Sequence, residues 1–301
     1  MLKHISTALI VLLSFICGCS VGRIPVIGGN SISITTVDKN YFNVMLRFNP
    51  VAEEMTKALK HPVVILSDWD VHSIKVHLTD NKSYYHLLYL NPVEFWRVSE
   101  KEKLTPIAQR VNAASESSEV GLIVVAKNSQ IKKIEDLKGK RFAFGEYESP
   151  YQFYNVLEFF TAENLPISLL KEVSYNKDSL SVVQKVLLNL ADAGVVTRTW
   201  WQTTTDRSLN LSRLLKADLR VIGRTQAMPE YTWAVTSVVS DTQKSQMIKV
   251  LTEGLSKKPQ VLAGFGAQKF TAVEDKNLEG VCERLRKIKN LPPAPLLPPL
   301  P

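Results

Sequence analysis

The sequence predicts an α/β protein of two lobes, and three observations carry that prediction. From residue 31 onward, short apolar runs alternate with amphipathic stretches, the rhythm of strands and helices in open, mainly parallel sheets. The 301 residues suffice for two units of about 100 to 150 residues each. An apolar run, a capping residue, a proline and a helical pattern also follow one another repeatedly along the chain.

The first element is a leader. Lys3 precedes the apolar stretch 8–16, which is shorter than the roughly 20 residues a spanning helix needs, so 1–18 reads as a secretory signal. Ile16-Cys17-Gly18-Cys19 resembles the bacterial lipobox, with Cys19 as the acylated first residue of the mature chain. Acyl chains at Cys19 anchor the protein to a bilayer on the periplasmic side, and Ser20, in place of the aspartate that retains enteric lipoproteins, favours the outer membrane. Removing 18 of 301 residues leaves 283, in which Cys282 has no partner once Cys19 is acylated.

Strands are predicted over 31–35, 63–66, 86–90, 121–126, 142–144, 193–196 and 219–222. Helices are predicted over 51–59, 151–163, 180–190 and 243–255, where apolar residues recur at three- and four-residue spacing. Asn49-Pro50, Asn91-Pro92 and Ser149-Pro150 have the composition of helix starts, and Glu94 and Gln152 stand where a capping box places its acid or amide. In open sheets such starts lie at the carboxyl ends of strands, where ligands bind and where the helix dipole favours an anion. Asn49, Asn91, Ser149, Tyr151 and Gln152 are therefore candidate ligand contacts. Residues 291–301 are mostly proline and leucine and read as an extended tail.

The formal charge of +8 is scattered, in small clusters at 132–133, 138–141 and 284–289. It fits a mild attraction for anions and lacks the basic stripe with interleaved aromatics that nucleic acid requires. No nucleophile, base or metal set stands at workable spacing: of five histidines His4 falls in the leader, His61, His72, His77 and His86 lie close together, His72 and His77, five apart, suit neither one helix face nor one strand face, and no serine-hydrolase, zinc-protease or P-loop motif occurs. The expectation is a protein that binds without catalysing, with no cofactor and no metal.

Three segments carry a family resemblance: Leu104-Thr105-Pro106-Ile107-Ala108, the run 121–129, and 134–145 with Asp136-Leu137-Lys138-Gly139-Lys140. With Ala191-Asp192-Ala193-Gly194-Val195 and Met228-Pro229, they resemble the solute-binding proteins of ABC importers for phosphonate, phosphite and phosphate, a branch of the periplasmic binding proteins. The resemblance implies a type II fold of two lobes with a cleft between them and two hinge crossings. Lobe 1 would take 32–120 plus 227–290, lobe 2 121–226, with 19–31 as a linker.

It also implies capture of a small anion for an ABC permease, or, as the alternative, ligand sensing on behalf of a membrane kinase. Tyr89 and Asn91 fall where the family places aromatic and polar contacts, and Asp192 where it places an acid. The family's anion loop reads Ser-Thr-Ser-Gly. Here Ser149-Pro150-Tyr151-Gln152 keeps the first serine only, and Pro150 has no N–H to donate. Thr197, Thr199 and Trp200 either line the cleft or form a capped helix, and Arg47 lies near enough to the first helix start to meet an anion.

Overall fold

A computed structural model describes residues 31–38, 40–81, 84–204, 216–273, 276–288 and 291. The leader, Cys19 and most of the proline-rich tail lie outside the described residues.

The chain enters as β1 (Ile32–Val37), α1 (Tyr41–Leu59), β2 (Val63–Asp68), α2 (Val71–Asn81), β3 (Leu87–Leu90), α3 (Pro92–Ser99) and β4 (Thr105–Asn112). A two-residue strand, β5 (Ser118–Glu119), leads to β6 (Gly121–Ala126), β7 (Arg141–Ala143), a wide helical turn (Pro150–Tyr154) continuing into α4 (Asn155–Ala162), and β8 (Glu172–Ser174). Then come α5 (Ser179–Leu187), β9 (Ala193–Thr197), α6 (Arg198–Thr203) and β10 (Leu219–Arg224). The return runs through β11 (Met228–Pro229), β12 (Thr232–Val235), α7 (Asp241–Lys249), α8 (Pro259–Gly264), β13 (Ala267–Thr271) and α9 (Lys276–Arg286).

Two sheets result, ordered β13-β4-β12-β3-β1-β2 and β10-β6-β9-β7-β8, and β5 pairs with β11 where the chain passes between them. All seven predicted strands are present, but the sheets are mixed. β12 runs antiparallel to β3 and β4, and β6 antiparallel to β9 and β10, because each enters its sheet directly from a crossing instead of through a helix. The first sheet is covered on one face by α1, with Val44, Phe48, Val51, Met55 and Leu59 turned onto Ile34, Tyr89 and Trp233. The second packs Phe142, Phe144, Phe153 and Phe160 edge to face.

One helix start falls elsewhere than predicted. Asn40, not Asn49, caps α1, its side chain accepting from the Asn43 N–H, and Pro50 lies inside a 19-residue helix. The helix survives its proline because its buried stripe runs unbroken from Val44 to Leu59, and the Leu46 carbonyl that loses its donor belongs to a residue 63% exposed, within reach of water. Asn49 is exposed in mid-helix, outside any helix terminus.

Candidate ligand-binding cleft

The site is built around the β5–β11 crossing, from the helix starts that follow β3 and β9 and the turn that follows β7. From the first lobe comes the start of α3. Asn91 Oδ1 accepts from the N–H groups of Val93 and Glu94 at 2.9 and 3.0 Å, and Glu94 Oε2 accepts from the Asn91 N–H at 2.8 Å, a complete capping box. Burial, opposed by that Asn91 N–H, pushes the Glu94 carboxyl up to about 7. A carboxyl held protonated by the fold contributes stability below its unfolded value of 4.5, which is lost as pH rises to about 7. Glu94→Gln keeps an acceptor for Asn91 without that charge. Urea unfolding across this range should show the variant more stable than its parent above about pH 7, by up to about 3 kcal/mol, with the pH slope reduced.

At the crossing, Glu230 is 1% exposed. Its Oε2 accepts from Arg110 Nε at 3.0 Å and from Arg110 Nη2, and its Oε1 accepts from Asn112 Nδ2 at 2.8 Å. From the second lobe, the Tyr151 hydroxyl donates to Glu230 Oε2 at 3.1 Å and to the Pro229 carbonyl at 3.2 Å. Burial first, and the Glu230 charge next, hold the Tyr151 hydroxyl protonated. Arg110 also covers the Tyr231 ring at 4.8 Å and donates to the Phe265 carbonyl.

The second lobe contributes two helix starts. Ser149 Oγ accepts from the Gln152 N–H at 3.2 Å. The predicted capping box does not close there, because Gln152 turns inward and its Nε2 donates to Ser179 Oγ and the Val195 carbonyl. Gly145 makes room for it: a β-carbon at that position would stand 2.6 Å from Gln152 Cβ. At α6, Thr197 caps the helix and Glu119 of the crossing strand accepts from the N–H of Thr199 and of Val120. Burial raises the Glu119 carboxyl. Across the two lobes, Arg97 pairs with Glu148 at 2.9 Å and also donates to the Tyr154 hydroxyl.

The structure therefore gathers Asn91, Ser149 and Tyr151 around one crossing. Tyr89 lies one layer deeper, 1% exposed, stacked on Tyr231 with ring centroids 5.2 Å apart. Gln152 is spent inside its lobe. Asp192 lies at the opposite end of the second sheet: it precedes β9, and its carboxylate accepts from the Arg141 backbone and guanidinium, so it does not face the cleft. The Asp192 pairing places it beside a separate surface hollow of about 460 Å³ lined by residues including Lys140 and Asn189. The residues the sequence reading passed over are Arg110, Glu119 and Glu230. Arg110 and Glu230 stand 120 positions apart, with no local pattern to link them. Among the described residues no three His, Cys, Asp or Glu side chains group to hold a metal, and no helix is long and apolar enough to cross a membrane.

Two lobes on mixed sheets, joined by two crossings and meeting at opposed helix starts, define a type II periplasmic binding fold. The chain belongs to the family described as ABC transporter, phosphonate, periplasmic substrate-binding protein, whose model matches residues 40–278. It is similar in fold to XAC2383 from Xanthomonas citri, solved bound to ATP, at 14% identity and a TM-score of 0.70, covering 86% of this chain and 98% of that one. It is similar also to PhnD1 from Prochlorococcus marinus in complex with methylphosphonate, at 19% identity and a TM-score of 0.65, with coverage of 86% and 98%. The aliphatic sulphonate binding protein SsuA from Escherichia coli matches at 11% identity and a TM-score of 0.52, with coverage of 86% and 92%.

Proposed function

We propose that this protein is a lipid-anchored receptor on the periplasmic side of a bacterial membrane. It captures a small oxyanion, phosphonate-like or a related organic anion, and hands it to an ABC permease. Cys19 carries the lipid, 32–120 with 227–290 form one lobe, and 121–226 the other. The observation that carries the reading is the meeting of Asn91 and Tyr231 from one lobe with Ser149 and Tyr151 from the other, beside cations of the first lobe. A hinge at the β5–β11 crossing closes the lobes on the ligand and opens them at the permease. No step of this cycle requires chemistry on the ligand, and the protein acts as a binding subunit, not an enzyme.

The test is thermal denaturation of the mature lipoprotein in detergent with phosphate, phosphite, methylphosphonate, 2-aminoethylphosphonate and alkylsulfonates. A ligand at a hundredfold its dissociation constant adds about 2.7 kcal/mol, which raises the melting temperature of a chain this size by about 5 to 10 °C. At least one oxyanion is expected to do so. A panel with no shift at all sinks the oxyanion reading.

A further inference from the structure

The backbone donors of the helix starts at the cleft have been claimed by the protein itself. Asn91 Oδ1 and Glu94 close the start of α3, Glu119 occupies that of α6, and the turn at 150–154 has Ser149 Oγ on the Gln152 N–H and a proline at its first position. The cations around the crossing are mostly claimed as well: Arg110 by Glu230, Arg97 by Glu148, and Arg198 by the Ser118 carbonyl with Glu116 nearby.

Arg47 is different. Its guanidinium lies over the rings of Phe48 and Phe265, at 5.1 and 5.2 Å, and among the described residues no acceptor meets its N–H groups; Nε is buried without a partner. Arginine side chains on a helix lean toward its N-terminus, which for α1 is the cleft end. Close by, the hydroxyl of Tyr89 is buried without a partner. Trp233, its neighbour in strand register, leaves its Nε1–H unused too. Tyr89, Tyr231 and Glu94 all lie within the electrostatic reach of Arg47. Buried donors without acceptors are costly, and Arg47 with the unpartnered Tyr89 hydroxyl and the Tyr231 hydroxyl, which meets the Asn91 side chain, makes the donor set of an oxyanion subsite.

We propose that the ligand's anionic group is taken by the first lobe, at a subsite formed by Arg47, Tyr89 and Tyr231, and that this group carries a single negative charge. The inference rests on the oxyanion reading above and sharpens it. One unpaired guanidinium balances one charge. Glu94 and Asp38 stand on the same side, so a second ligand charge would meet carboxylates instead of donors. The fitting class is a sulfonate, a carboxylate, or a phosphonate in its singly protonated form.

Methanesulfonate and methylphosphonate form a matched pair, alike in shape and differing in charge once the phosphonate loses its second proton. Calorimetric titration of both into the mature lipoprotein, at about pH 6 and about pH 8.5, compares a ligand that gains a second charge with one that does not, and the sulfonate alone reports what the ionisation of Glu94 does to a single charge. The ratio of the phosphonate to the sulfonate dissociation constant is expected to rise at least about tenfold between the two pH values. Arg47→Met, which keeps the packing stem, should weaken both by about a hundredfold, Arg47→Lys by less, and Tyr89→Phe by about three- to tenfold. Arg47→Met within twofold of the parent, in a protein that melts normally, overturns the subsite and leaves the oxyanion reading standing. A constant or falling ratio overturns the single charge. Silence from both probes, when phosphate or another member of the thermal panel binds, overturns the inference alone; silence from the entire panel overturns the oxyanion reading and the inference with it.

Discussion

Glu230→Ala is expected to destabilise the protein by about 3 to 5 kcal/mol, the largest effect of any single change at the crossing. The side chain is 1% exposed and accepts from Arg110, Asn112 and Tyr151 together. Its removal leaves the Arg110 guanidinium without its counter-charge, and leaves Asn112 and Tyr151 each with only a backbone carbonyl, at 3.4 and 3.2 Å. Desolvation of such a group is not recovered elsewhere, so the cost exceeds the net worth of the ion pair. Calorimetric melting should register a fall of about 10 °C or more. Arg110→Met with Glu230→Met removes both charges and should recover much of the loss, because the penalty arises from the orphaned cation and not from the missing pair. A single variant that melts within a few degrees of the parent would contradict the role assigned to this cluster.

Cys19→Ser should abolish membrane association outright. Each buried methylene contributes about 0.8 kcal/mol, so one acyl chain holds a protein marginally and two or more hold it stably. Serine offers no thiol for acylation, and among the described residues no helix can substitute as a membrane span. Fractionation of cells producing the variant should find the protein wholly in the soluble fraction, against membrane-bound parent. Ligand binding should be unchanged, since the cleft draws on residues from Arg47 onward. A variant that still sediments with membranes would remove the lipobox from the account.

How far the sequence speaks for the structure differs by element. Apolar composition makes the seven strands legible: Ile123, Val124 and Val125 are buried on both faces, whereas in β10 only Leu219 is buried. β4 is not legible because Pro106, Gln109, Arg110 and Asn112 break its apolar pattern, and the last three of these bond Glu230 at the crossing. β12 is only four residues long. The Asn91 and Ser149 starts were legible because a cap is a local device. Asn49-Pro50 carries an equally good local signal, but it is overridden by the tertiary pull of the stripe from Val44 to Leu59. For the cleft, types of residue could be listed but not their engagements. Asp192 has the local context of a ligand acid, but its pairing with Arg141, 51 positions away, holds it at the other end of the sheet. Glu119 closes a helix that begins 79 positions later, and only the folded chain brings them together.

The order of the first sheet has a consequence for how the chain comes into being. β12 lies between β3 and β4, flanked on both sides by strands that precede the whole second lobe. Until residue 235 has emerged, the strands made first have a vacant lane down their middle and cannot close their apolar face. Pairings of such long sequence separation form slowly. The topology thus makes closure of the first sheet wait on a strand that follows the whole second lobe in the chain.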